Sequence, residues 1–301
     1  MTRIPVGRSD RSFSPVSSVT HAPSRGARRR HRPVSTPIAG SSPVLRPRLA
    51  APLDLAQNLV HGAVEYARTL GFDPAPDFDA TGTTSALVGA GFTVYLPSHP
   101  GYEGTERPTW LRNVRDVAVI YQSLLAERGL TGVSLLGLGF GGWIAAEMAT
   151  MAPAAFRRLV LVGAMGLLPA AGEILDQALV SYVEYVRAGF EDAGTFERIW
   201  GAEPPVSQLE QWDLNREMTF RIAWKPYMYN PTLPDLLGGV RAPALVVWGR
   251  RDRIVPLECG ERYAKALPKA RLAVVEGAGH FVEMEQPDAV GKLVTEFAAS
   301  S

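Results

Sequence analysis

The chain has 301 residues, 46% apolar and 20% charged, with a formal net charge of +1. That length and apolar content suffice for one large core with an inserted subdomain, and no run of about 18 apolar residues is present to span a membrane. The single cysteine, Cys259, excludes a disulfide framework and a cysteine-based metal site.

Charge is unevenly spread. Residues 1–50 hold ten arginines and one acid, Asp10, so the rest of the chain is net acidic. An acidic folded part argues against nucleic acid as its partner. The first fifty residues are rich in Arg, Ser and Pro, with the run Arg28, Arg29, Arg30, His31, Arg32 and hardly any apolar periodicity. Such a segment buries too little surface to offset its ordering entropy, so a disordered leader is expected there. Its composition also suits a transit peptide or a nucleic-acid-binding arm. Without an apolar stretch it does not read as a secretory signal, and a cytoplasmic protein is expected.

From about residue 90 the pattern becomes short β-rich runs alternating with helix-length amphipathic stretches, which predicts βαβ units around a mostly parallel sheet. The apolar runs at 92–96, 133–136, 159–162, 244–248 and 272–275 predict buried strands. Helices are predicted at 111–127, 141–151, 258–267 and 288–297. In the first of these Val114, Val117, Ile120, Tyr121 and Leu124 share one helical face, which turns toward the sheet. The class is α/β, with core segments at 51–166 and 237–301.

Residues 167–236 interrupt the alternation and are dense in aromatics. An insertion at this point sits beyond the carboxyl ends of the strands, where open α/β sheets bind ligands. A helical cap is expected here. Most of its aromatics are expected to form its own core and about a third to line a cavity. Trp200, Trp224 and Tyr227, with Trp143 of the core, are the candidates for contacting a small apolar or aromatic molecule.

The most informative segment is Val133-Ser134-Leu135-Leu136-Gly137-Leu138-Gly139-Phe140-Gly141-Gly142-Trp143, followed by a helical stretch. A strand enters a glycine-rich turn and then a helix at once, the architecture of a nucleophile elbow. Gly137, Gly139 and Gly142 also fit a dinucleotide fingerprint, but the acid expected about 20 positions on is missing at Val162-Gly163-Ala164. No cofactor and no metal are expected.

On these residues the chain resembles the α/β-hydrolase superfamily. Three further stretches carry the resemblance: Pro97 to Thr105, a loop of Pro, Gly and small residues; Gly249-Arg250-Arg251-Asp252, just past a strand; and Gly277-Ala278-Gly279-His280-Phe281. The order of elbow, acid and histidine is that of this fold. The resemblance implies an α/β-hydrolase fold in which Asp252 orients His280, and an oxyanion hole formed by the amides of Phe140 and Ala63, the latter in Val60-His61-Gly62-Ala63. Where the superfamily places Ser, Asp or Cys at the elbow, this chain has Gly139. A Cβ-free residue relieves strain at that turn but supplies no nucleophile.

Losing the serine of a triad costs roughly six orders of magnitude in turnover, so an acyl-enzyme route at ordinary rates is excluded. Two readings remain. In one, His280 is a general base that activates water lodged beside Gly139 or deprotonates substrate, with hydrolysis, carbon–carbon cleavage and cofactor-free oxygenation all open. In the other, the chain is a pseudo-hydrolase that binds a small molecule or protein partner. Neither involves a membrane, and oligomeric state is not legible. His99 is expected to hydrogen-bond locally, Cys259 to pack, and Glu283 and Glu285 to face solvent.

Overall fold

The computed structural model describes residues 82–300, apart from Ser98, Glu103, Gly104 and Glu106. The leader at 1–50 and Ala63 lie outside the described residues. Four strands, β1 (Ser134–Leu138), β2 (Arg158–Val162), β3 (Ala244–Gly249) and β4 (Ala270–Val275), form a parallel sheet in that order. Every residue of β1, β2 and β3 is buried, as their unbroken apolar runs require of strands covered on both faces. The outer strand β4 is half-buried.

Alternate side chains divide between the faces. Leu136, Leu138, Val160, Val162, Leu245 and Val247 meet α1 (Thr83–Gly89) and α10 (Pro287–Ala299). Leu135, Leu159, Leu161, Val246 and Trp248 meet α2 (Val114–Glu127), α3 (Gly139–Met151) and α8 (Leu257–Ala266) on the other. The start of α2 is set by a capping box: the Asn113 side chain accepts the Asp116 N–H, and the Asp116 carboxylate accepts the Asn113 N–H. This local pairing satisfies otherwise orphaned donors and fixes the helix start three residues later than apolar periodicity predicts.

One expected strand is not formed. Residues 92–96 run extended from α1, with the Phe92 N–H bonded to the Leu87 carbonyl, but no ladder joins them to another strand among the described residues. An apolar run alone does not make a strand without a partner edge.

Between β2 and β3 lie α4 (Tyr182–Ala188), α5 (Ala193–Trp200), α6 (Val206–Ala223) and α7 (Leu233–Leu237). Tyr182, Tyr185, Phe190, Phe196, Trp200 and Trp212 are buried there, with adjacent ring centroids 5.3–6.1 Å apart. These rings are the hydrophobic core of the insertion. No described helix is long and apolar enough to cross a membrane.

Candidate active site

The turn from β1 into α3 is closed by the close approach of its own backbone: a Cβ on Gly137 would lie 2.3 Å from the Gly141 carbonyl oxygen. At the corner, Gly139 has φ of +49°, the left-handed region that L side chains rarely adopt. A Cβ built on Gly139 would have one close neighbour, His280 Nε2, at 3.3 Å. The imidazole therefore faces the position that an elbow side chain occupies. As the second residue of α3, Phe140 carries an N–H with no acceptor inside the helix.

Asp252 stands in the loop after β3, its side chain completely buried. Its Oδ1 accepts the N–H groups of Ile254 and Val255 at 2.9 and 2.8 Å, and its Oδ2 lies 2.8 Å from His280 Nδ1. Backbone donors thus lock one oxygen and aim the other at the ring, which leaves Nε2 directed at Gly139. Burial disfavours the imidazolium, but the charge and hydrogen bond of Asp252, together with the charge of Glu283, outweigh it and raise the His280 pKa above 6.5.

The His280 loop is held by the insertion. The N–H groups of His280 and Phe281 both donate to the Gly189 carbonyl, at 2.7 and 3.2 Å, at the C-terminal end of α4. The Phe281 and Phe190 rings are 5.0 Å apart. Glu285 accepts the N–H groups of Asp192 at 2.8 Å and Gly279 at 2.6 Å. The expectation that Glu283 and Glu285 face solvent is overturned: Glu283 is 2% exposed, and Glu285 ties the histidine loop to the insertion. The charge pattern of this short segment hid both, because their burial depends on chain far away in sequence.

The other candidates fall in different settings. Trp143, one turn past Gly139, donates from Nε1 to Glu147 at 3.1 Å and lines a cavity of about 180 Å³ with Arg115, Ile222, Lys225 and Tyr229. Gly139, Asp252 and His280 are not among its walls. Trp200 lies in the aromatic core of the insertion, against Phe190, Phe196 and Trp212. Trp224 is 40% exposed and packs edge-on against Phe220 and Tyr227. The Tyr227 hydroxyl donates to the Leu175 carbonyl and accepts the Gln177 N–H, both at 2.9 Å.

His99 hydrogen-bonds through Nδ1 to the Tyr121 hydroxyl of α2. Burial lowers its pKa to about 3, so it is neutral at neutral pH and poorly matched to a general base. Cys259 packs as expected: its thiol contacts the Leu167 carbonyl at 3.4 Å, and burial raises its pKa to about 12. Among the described residues, no three His, Cys, Asp or Glu side chains converge as a metal site requires.

Comparison with known proteins identifies the family and the fold. The model of the "Alpha/beta hydrolase family" matches residues 59–293. A 2-hydroxy-6-oxononadienedioate/2-hydroxy-6-oxononatrienedioate hydrolase of Dechloromonas aromatica (strain RCB) is 27% identical over 226 residues, which cover 70% of this chain and 78% of the relative. A 2-hydroxy-6-oxo-6-phenylhexa-2,4-dienoate hydrolase of Burkholderia cepacia is 27% identical over 238 residues, 71% of this chain and 79% of the relative. The crystal structure of a hydrolase of that last name from Rhodococcus sp. strain RHA1 superposes with a TM-score of 0.56 at 21% identity, covering 82% of this chain and 91% of the other.

Proposed function

The chain belongs to the alpha/beta hydrolase family, and on that premise we propose that it hydrolyses a small apolar or aromatic ketone by general-base chemistry, without a serine nucleophile. The observation that carries this reading is the 3.3 Å between His280 Nε2 and the Cβ position of Gly139. A serine side chain would fill that space. In its place this reading puts a water molecule, within reach of the base.

Neutral His280 takes a proton from this water, and the oxygen adds to the carbonyl carbon. The oxyanion that forms is met by the Phe140 N–H at the start of α3, with Ala63 the candidate second donor. Asp252 holds the ring tautomer that leaves Nε2 basic and stabilises the imidazolium once it forms.

The relatives support a substrate class. Their names describe a 2-hydroxy-6-oxo dienoate and 2-hydroxy-6-oxo dienedioates and trienedioates, molecules with a ketone and no ester or amide bond. Hydrolysis at such a ketone, unlike reversible hydration, must break the adjacent carbon–carbon bond, with the substrate in its 2-keto form so that the departing pair is held as a dienolate. The electron pair departs with the conjugated fragment, which takes up the proton held by His280.

The test is turnover of 2-hydroxy-6-oxo-6-phenylhexa-2,4-dienoate, followed by loss of its chromophore and release of benzoate. Slow turnover that His280→Ala abolishes supports the reading. Binding of the compound with no turnover, unchanged by His280→Ala, favours instead a family member that binds small molecules without chemistry, the alternative that Gly139 itself suggests.

A further inference from the structure

His280 and Asp252 have a third ionisable neighbour, Glu283. It follows His280 by three residues on α9 (Val282–Glu285), a one-turn helix that begins directly after Phe281. Its side chain is buried with 2% exposure, and its Oε1 has no hydrogen-bond partner among the described residues. A buried carboxyl oxygen without a partner costs stability, so its presence beside a catalytic-type pair calls for a role. We infer that Glu283 is a positioning residue for the base, a second carboxyl beside Asp252 whose ionisation sets how firmly His280 holds its proton. This rests on the general-base reading above.

The charged groups that act on Glu283 are His280 in the preceding loop, Asp252 in the loop after β3 and Glu285 on the same helix. Burial pushes its carboxyl up to about 7, against the lowering effect of a backbone hydrogen bond and of His280, and the charges of Glu285 and Asp252 push the same way as burial. Asp252, by contrast, is committed through three hydrogen bonds. The two carboxyls therefore divide the work: Asp252 fixes the ring, and Glu283 changes charge in the pH range where a base must release and recover a proton. When His280 is protonated, its charge favours ionised Glu283. When Glu283 is protonated, His280 binds its own proton less tightly. Two groups coupled in this way titrate as a pair.

The experiment is an NMR titration of the full chain with ¹³C-labelled histidine and glutamate, the His280 resonance being assigned by its disappearance in His280→Gln. In the unsubstituted protein the Glu283 carboxyl is expected to titrate near 7. In Glu283→Gln, His280 is expected to titrate in one step, lower by about one pH unit, the size of effect that loss of a nearby opposite charge produces. Glu283→Asp restores part of the difference.

A His280 titration that superimposes on that of the unsubstituted protein in folded Glu283→Gln overturns the inference. So does a Glu283 carboxyl that titrates at the ordinary glutamate value in the unsubstituted protein, a readout that needs no variant to fold. Neither measurement depends on turnover. Coupled titration in a protein that turns over no substrate keeps Glu283 in this role and removes the hydrolytic reading; His280-dependent turnover with uncoupled titration does the reverse.

Discussion

His280 Nδ1 lies 2.8 Å from Asp252 Oδ2, while the other oxygen of Asp252 is held by the N–H groups of Ile254 and Val255. This arrangement leaves an amide at position 252 only one comfortable orientation. In Asp252→Asn the carbonyl oxygen takes the two backbone donors and the NH₂ faces His280, which forces the ring proton onto Nε2. The base is then blocked although its position is unchanged. Turnover is expected to fall by about 10⁴-fold, the cost of the same tautomer error in a serine protease, with a melting temperature near that of the unsubstituted protein.

The pH dependence of turnover follows from the same pair. The base works when neutral, and its pKa is raised above 6.5. Turnover per unit substrate at low concentration is therefore expected to decline as pH falls, with a midpoint above 6.5. A midpoint below that value removes His280 as the base.

Stability should depend on pH through Glu283. Its folded-state pKa of about 7 lies above the ordinary 4.5, so its contribution is fully present below pH 4.5 and is lost as pH rises through 7, roughly 3 kcal/mol in all. His280 has the same sign from pH 6.5 upward. His99, lowered to about 3, has the opposite one: its contribution is complete above pH 6.5 and is lost on acidification. Melting curves of Glu283→Gln and the unsubstituted protein should therefore diverge between pH 4.5 and 7, the variant gaining roughly 5 °C or more. Parallel curves contradict this.

Glu147 anchors the middle of α3. Fully buried, it pairs with Arg115 at 2.7 Å and accepts from Trp143 Nε1 at 3.1 Å and Asn230 Nδ2 at 2.6 Å. Glu147→Ala leaves these donors without their acceptor, and a loss of about 3 kcal/mol is expected in denaturant unfolding. Glu147→Gln keeps an acceptor and should lose less.

The sequence showed the parallel strands because their apolar runs are nearly unbroken, and it showed the Asp252 and His280 loops because each follows such a run. Gly139 was visible for the same reason, between a strand and a helix. The strand expected at 92–96 failed because an apolar run reports burial and not a partner. Glu285 was misread because a charged residue on a short helix looks solvated until the insertion, joined at Asp192, meets its carboxylate, and the burial of Glu283 leaves no mark in local spacing either. The packing of Trp200 against Trp212 likewise depends on how the inserted helices fold back, which spacing along the chain does not reveal.

The central claim is that His280 addresses the space left at position 139, and Gly139→Ser tests it most directly. A Cβ there meets Nε2 at 3.3 Å in a left-handed backbone, so the variant should lose about 1 kcal/mol of stability and yet carry a hydroxyl within reach of the base. A fluorophosphonate probe should then add one covalent label at position 139, seen by intact-protein mass spectrometry, and the label should vanish in the double variant with His280→Ala. A folded Gly139→Ser protein that takes no label contradicts the account.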